Sequence, residues 1–91
     1  MKDTTIKVHN VKCHSKAFEV KWDGRKPWEY RLNDRNYKEG ELINEMEFRV
    51  RSNSFTGREI LERIEFILYG GEYGILEGYV IMTTKEISRK K

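Results

Sequence analysis

Short runs in which apolar and polar residues alternate, separated by glycine-containing turns, make up most of this chain. Side chains on a strand point alternately to opposite faces, so a period of two predicts strands with one buried face. Helix is the competing interpretation for residues 58–69, but the period of two and the β-branched content favour a strand there. We therefore predict strands at residues 6–13, Trp28–Leu32, 42–50, 58–69 and 79–84.

One segment follows a helical period instead, with Ser15 as a suitable N-cap and Gly24 as a stop. The residues at the spacing of one helix face are Ala17, Phe18, Lys21 and Trp22. Closing many strands of a short chain into a barrel buries the sheet edges. We therefore predict a mostly β (α+β) pseudo-barrel of about five to six strands with one short N-terminal helix.

A chain of 91 residues has room for one hydrophobic core, so residues 1–91 are taken as a single domain. Residues 84–91 are expected to form a frayed tail. Trp28 and Tyr30, on the short second strand, are assigned to the core because large aromatic residues are usually buried. The rest of the predicted core comprises Phe18, Trp22, Leu42, Ile64, Phe66, Val80 and Met82.

Charge is distributed unevenly along the chain. Residues 1–40 carry ten Lys/Arg against six Asp/Glu, whereas residues 41–80 carry four against eight. A basic half favours polyanionic partners, although an ordinary solvated surface remains an alternative for a net charge of +3. Cys13 is the only cysteine, and neither a signal core at residues 1–5 nor a membrane-spanning run is evident. We expect a cytoplasmic monomer that does not enter a membrane.

The segment from Gly24 to Arg35 carries the most informative polar pattern. On the strand that follows Pro27, Glu29 and Arg31 point to one face. With Lys26 they predict a polar cleft in which the cations hold phosphate or carbonyl groups and the carboxylate accepts from an amine. The alternative is that Glu29 pairs with Arg31 or Arg35 and organises the turn. The further ligand-binding candidates are Arg35, Arg25, and, for stacking on a base, Tyr73 and Tyr79.

Metal and cofactor binding find little support in the sequence. His9, Cys13 and His14 offer three ligand types, but His14 points away from the other two on a strand. The glycines at 70, 71 and 74 lack the GK[ST] ending of a phosphate-binding loop, so we interpret them as a lid or wide turn. We predict no metal and no cofactor.

The string Gly24-x-Lys26-x-x-Glu29-x-Arg31 resembles the signature of ASCH domains, which belong to the PUA-like superfamily. Further blocks are similar to a small bacterial and phage family, a domain of unknown function numbered thirty-eight fifty. The similarity extends from about residue 9 to residue 84. The blocks are His9-Asn10-Val11-Lys12, Phe18-Glu19, Gly24-Arg25-Lys26, Glu29-Tyr30-Arg31-Leu32-Asn33-Asp34-Arg35, Phe55-Thr56-Gly57-Arg58-Glu59 and Gly78-Tyr79-Val80-Ile81-Met82.

This resemblance implies a PUA-like pseudo-barrel that binds RNA or a modified nucleoside or nucleotide. One branch of the superfamily removes an acetyl group from acetylated cytidine with a Lys, a Thr and a distant Glu. Here Lys26 matches the Lys, and Glu29 stands where the Thr would be. Binding is our preferred interpretation, with Lys26 as an anchoring cation. The alternatives are a small amidohydrolase, with Lys26 as nucleophile or base and Glu29 as proton carrier, and a phage accessory protein that binds another protein.

Overall fold

The computed structural model describes residues 5–91, and the leader prediction for residues 1–5 falls largely outside them. Five strands form one sheet in the order β1-β3-β4-β5-β2, in which β1 and β3 are parallel and all other neighbours are antiparallel. The predicted mostly β fold with one short helix is confirmed. In chain order the elements are β1 (Val8–His14), α1 (Ser15–Trp22), β2 (Trp28–Leu32), β3 (Leu42–Arg49), β4 (Ser54–Tyr69) and β5 (Tyr79–Lys90).

The sheet curls into a half-barrel, so its two edge strands, β1 and β2, face each other across an open seam. At one point the seam is bridged by a side chain, because Arg31 Nη2 on β2 donates to the Lys12 carbonyl on β1 at 3.2 Å. Within residues 5–91, β1 pairs only with β3 and β2 only with β5. The edges of the half-barrel are therefore joined by side chains and not by a backbone ladder.

Helix α1 begins and ends where the sequence predicts, although its cap differs. His14 occupies the N-cap position and makes no side-chain capping bond, so Ser15 is the first helical residue. Gly24 follows the helix with φ at 78°, in the left-handed region that glycine adopts without strain. Phe18 is fully buried beneath the helix. Trp22 is half-buried, and the guanidinium groups of Arg58 and Arg89 lie over its ring, 4.7 Å and 4.0 Å from its centre.

The predicted core is partly correct. Ile64, Val80 and Met82 are buried in one cluster with Tyr37 and Ile43, and Phe18 lies in a second cluster. The core prediction was wrong for the five other side chains. Trp28, Tyr30 and Phe66 are exposed, and Trp22 and Leu42 are only half-buried.

A β-bulge accounts for the error at Phe66. Ile64 pairs with Thr84 whereas Phe66 pairs with Thr83, so Glu65 is an extra residue in β4. Beyond the bulge the alternation is displaced by one position. Ile67 then faces the core opposite Met82, and Phe66 faces solvent.

Two expectations about the turns and the tail need correction. Residues 84–91 do not form a frayed tail, because β5 continues to Lys90 in register with Glu59. The glycine-rich loop is a hydrogen-bonded wide turn between β4 and β5, with Gly70 N donating to the Tyr79 carbonyl at 2.8 Å. A Cβ on Gly70 would lie 2.1 Å from the Leu76 carbonyl oxygen, which explains why glycine is needed there. Residues 70–78 are absent from the linings of the cavities between β1 and β2, which favours the wide-turn interpretation over the lid.

Candidate functional site

A network of buried charged residues lies inside the half-barrel, next to the seam. Its centre is Lys21 on α1, whose ammonium is 3.0 Å from Glu29 Oε2 and 2.9 Å from Glu62 Oε2. Thr84 on β5 donates its hydroxyl to the same Glu62 oxygen at 3.2 Å. The Lys21 ammonium also donates to the Lys26 carbonyl at 3.2 Å. A single lysine therefore connects the helix, the turn before β2, and strands β2, β4 and β5.

Arg31 forms the second half of this network. Its Nε donates to Glu29 Oε1 at 2.8 Å, and its Nη2 donates to Glu45 Oε1 on β3 at 3.0 Å. Glu29 is 2% exposed, and each of its carboxylate oxygens already has a partner. We call Lys21, Glu29, Arg31, Glu45, Glu62 and Thr84 the buried ionic network.

Burial and neighbouring charges shift the pKa values within the buried ionic network in opposite directions. Burial raises the pKa of Glu45 to about 8, the Glu29 carboxylate adds to this effect, and Arg31 opposes it. Burial also acts to raise the pKa of Glu29, but Lys21 and Arg31 outweigh it and hold that pKa below 4.5. At neutral pH, Glu29 is therefore ionised and Glu45 is mainly protonated, so the Arg31–Glu45 contact is a hydrogen bond to a neutral acid.

Oxygen atoms of three buried carboxylates, Glu29, Glu45 and Glu62, lie within 4.8 Å of one another, an arrangement that resembles a metal site. The Lys21 ammonium is within 3.0 Å of two of them, however, and supplies a positive charge where a cation would bind. Oxygen ligands without a nearby ammonium are what Mg²⁺ and Ca²⁺ require. The donor set of this network therefore fits a lysine better than it fits a metal ion.

The seam itself contains two adjoining cavities of about 590 Å³ and about 290 Å³. Both are lined by Lys12, Tyr30 and Arg31, and we refer to them together as the seam cleft. The larger cavity also contacts Tyr79, whose ring stacks on Tyr30 with centroids 5.2 Å apart and planes 24° apart. Cations, exposed aromatic faces and the edges of two strands thus meet in one cleft.

The predicted site residues divide into three groups. The first group lines the seam cleft. Lys26 lines its smaller cavity, and Arg35 and Tyr79 line the larger one. Glu29 and Arg31 lie where the cleft meets the buried ionic network. The remaining two residues, Arg25 and Tyr73, line neither seam cavity. Arg25 Nη2 is 3.1 Å from Asp23 Oδ2, and Tyr73 is 83% exposed.

Sequence reasoning missed most of the buried ionic network. Lys21 had been placed on the apolar face of the helix without a partner. Glu62 lies between Ile60 and Ile64 on the same face of β4, and this position within an apolar row is the signal that could have identified it. Glu45 lies two residues after Ile43 and has the same signal on β3. A carboxyl group on a buried row of a strand requires a cationic partner or protonation.

The other residues considered for chemistry have structural roles. His9 Nε2 lies 2.7 Å from Glu41, and its ring packs against Tyr37. Cys13 is buried, and burial together with the Glu45 carboxylate raises its pKa to about 12, which keeps the thiol protonated and unreactive. Asn33 accepts a hydrogen bond from the Tyr37 backbone at 2.9 Å, which fits its predicted role in the turn.

Membrane insertion through a helix has no support: among residues 5–91, no helix is long and apolar enough to cross a bilayer.

Comparison with known proteins identifies the family. The chain is 36% identical over 76 residues to the "Uncharacterized 12.9 kDa protein in GpA 3'region" of Escherichia phage P2. That alignment covers 84% of this chain and 66% of the phage protein, so the chain spans about two thirds of its relative's length. A family model described as "Domain of unknown function (DUF3850)" matches residues 8–84, from the first residue of β1 into β5. The chain therefore belongs to the DUF3850 family.

Proposed function

We propose that this chain is an ASCH-type, PUA-like domain that binds single-stranded RNA or a nucleotide in the seam cleft. The observation that carries the proposal is the stacked pair of Tyr30 and Tyr79 beside Arg35 in one cavity of about 590 Å³. Stacking of a base on an aromatic ring contributes roughly 1–3 kcal/mol and needs an exposed ring face. Tyr30 is 46% exposed and offers such a face.

The charges that line the larger cavity suit a phosphate group. Lys12, Arg31 and Arg35 contribute three cations, and among the described residues that line the cavity Asp34 is the only acidic one. Arg35 has no ion-pair partner among residues 5–91, so its guanidinium is available to form a bidentate contact with a phosphate. Arg31 is held in place by two carboxyl groups, which reduces the entropy lost on binding.

In this proposal Glu29 positions other residues and does not contact the ligand. Its Oε1 accepts from Arg31, and its Oε2 lies 3.0 Å from Lys21 and 3.4 Å from Lys26. The carboxylate therefore sets the spacing of two cations that line the cleft. Replacing it would disturb the cleft through Arg31 and Lys26.

The hydrolase alternative requires Lys26 to act as a neutral amine. Its ammonium lies 3.4 Å from the Glu29 carboxylate and 4.9 Å from the centre of the Trp28 ring, and both contacts stabilise a positive charge. An anchoring role is therefore favoured. A Lys26→Arg variant separates the two roles, because arginine keeps the charge but cannot become a nucleophile at neutral pH. A binder retains its affinity, whereas an acetylcytidine hydrolase loses its activity.

The test measures fluorescence anisotropy of a labelled eight-nucleotide oligouridylate, together with competition by uridine monophosphate. Tyr79→Leu keeps an apolar side chain but removes the ring, and we expect roughly 5- to 150-fold weaker binding. Tyr69→Leu is the matched control, because Tyr69 is exposed but does not line the seam cleft. Arg35→Ala is compared in the same way with Arg63→Ala, an exposed arginine on β4.

The proposal fails if the wild-type protein binds neither probe, or if each control weakens binding as much as its cleft partner. The proposal also includes a cytoplasmic location and binding by a monomer. Sedimentation of the protein with and without the oligouridylate measures the second of these.

A further inference from the structure

A further cavity of about 360 Å³ lies near the seam cleft. It is formed where helix α1 begins, beside the turn between β3 and β4. We call it the basic groove. Within the part of the chain that the structure describes, none of its lining residues is acidic. The lining comprises His14, Ser15, Lys16, Phe48, Arg49, Val50 and Arg51.

The basic groove combines an apolar floor with a cationic rim. Phe48 is buried in the floor, and Val50 is 62% exposed beside it. Lys16, Arg49 and Arg51 are exposed, and none has an ion-pair partner among residues 5–91. Arg58, in contrast, is paired with Glu47 at 2.8 Å. Three unpaired cations around an apolar surface favour a ligand with phosphates and flat apolar faces.

The basic groove is continuous with the seam cleft along two paths. His14 lines both the basic groove and the smaller seam cavity. Lys12 lines both seam cavities, and its ammonium lies 4.4 Å from the centre of the Phe48 ring in the groove floor. Phe48 in turn packs edge-on against Phe55, which lines the larger seam cavity, with ring centroids 5.1 Å apart.

We infer that a single strand of RNA extends from the seam cleft across Lys12 and His14 into the basic groove. This inference rests on the proposed function and names its substrate class as an oligonucleotide, not a free nucleoside or nucleotide. One base stacks on Tyr30 and Tyr79 in the seam cleft, and the backbone phosphates that follow contact the rim of the groove. Charge complementarity and the shared lining residues are the grounds for this occupant.

The experiment compares oligouridylates of one, two, four, six and eight nucleotides at several salt concentrations. A triple variant, Lys16→Gln with Arg49→Gln and Arg51→Gln, removes the rim charges. Its matched control, Lys38→Gln with Arg63→Gln and Lys85→Gln, removes three exposed charges that line none of these cavities. Circular dichroism verifies that both variants fold.

We expect affinity for wild-type protein to increase with length up to at least about four nucleotides, a short site for a single-strand-binding domain. The salt slope for single strands is about −0.7 for each neutralised phosphate, so the triple variant is expected to flatten it by about 2 for the octamer. Binding of the mononucleotide is expected to stay unchanged in both variants.

Three results overturn the inference while leaving the proposed function intact. In the first, affinity does not depend on the length of the oligouridylate; in the second, the triple variant and its control behave alike. In the third, poly-glutamate of equal charge displaces the octamer at the same concentration, which would mean that the groove selects charge and not RNA. Absence of binding by every length, including the mononucleotide, overturns the proposed function itself.

Discussion

Glu45 and Glu47 lie two residues apart on the buried face of β3 and are expected to respond oppositely to pH. The pKa of Glu45 is raised to about 8 by burial and by the Glu29 carboxylate. The pKa of Glu47 is lowered to about 2, mainly because Arg58 donates two hydrogen bonds to its carboxylate. Replacing each in turn by glutamine removes its titration while nearly preserving its shape.

The sign and size of each effect follow from the pKa values. A raised carboxyl pKa means that the folded state binds more protons than the unfolded state, so stability falls between pH 4.5 and about 8. At about 1.4 kcal/mol per pH unit, this interval corresponds to on the order of 5 kcal/mol. We therefore expect Glu45→Gln to resemble the wild type near pH 4.5 and to be more stable by several kcal/mol above about pH 8.

Glu47→Gln is the matched control with the opposite sign. The lowered pKa of Glu47 stabilises the fold above pH 4.5, and this contribution is lost as the pH falls towards about 2. Hydrogen bonds to a charged group contribute about 1.5–3 kcal/mol, and we expect a contribution of this size from Glu47. We expect Glu47→Gln to be less stable than the wild type at neutral pH and equal to it near pH 2.

Urea unfolding followed by tryptophan fluorescence, from about pH 2 to about pH 9, measures the free energy of unfolding of all three proteins. The groups that surround Glu45 are Glu29 and Arg31 on β2, Lys21 on α1 and Glu62 on β4, and they are the same in both variants. If the difference between the Glu45→Gln variant and the wild type is the same at pH 5 and pH 9, then Glu45 is not protonated at neutral pH, and the reasoning from burial is refuted.

Two further predictions use the same unfolding assay, and a third uses labelling with a thiol reagent. Lys21→Met leaves two buried carboxylates without their shared cation and is expected to cost about 3–5 kcal/mol; a loss below about 1 kcal/mol would contradict this. Phe18→Ala removes a fully buried ring and is expected to cost about 3–5 kcal/mol, whereas Phe66→Ala, at a 54% exposed position, is expected to cost at most about 1 kcal/mol. Equal losses of stability in Phe18→Ala and Phe66→Ala would show that Phe66 is buried and that the bulge in β4 is misplaced. Cys13 is expected to react with a thiol reagent only after denaturant is added, and rapid labelling of the folded protein would argue against its burial.

Local sequence rules recovered the elements that have clear boundaries. The second strand was predicted with its observed bounds, Trp28–Leu32, because Pro27 excludes a helix and alternation begins directly after it. The helix was also recovered, since apolar residues at helical spacing end at Gly24. In contrast, β5 extends six residues beyond Thr84, and its last part is polar except for Ile87 and exposed on both faces. Backbone pairing with β4 holds that part in place, and backbone pairing leaves no hydropathy signal.

The candidate site was predictable only where its residues are close in sequence. Lys26, Glu29 and Arg31 lie within six positions, so their proximity followed from strand geometry alone. Glu45 and Glu62 come from two other strands, and their burial depends on the register of the whole sheet. The same dependence explains the error at Phe66, because one extra residue in a bulge reverses which face is buried. A bulge is a tertiary feature that period-two counting does not detect.

The buried ionic network also has a consequence for the order of folding events. Lys21 reaches partners that are 41 and 63 residues away in the chain, so its contacts require α1, β4 and β5 to be already assembled. Contacts between residues so distant in sequence generally form late and slow the folding of β-rich domains. Interactions absent from the transition state affect the unfolding rate far more than the folding rate. The contacts that Lys21 makes with Glu62 and Thr84 therefore determine the lifetime of the folded state more than the time needed to reach it.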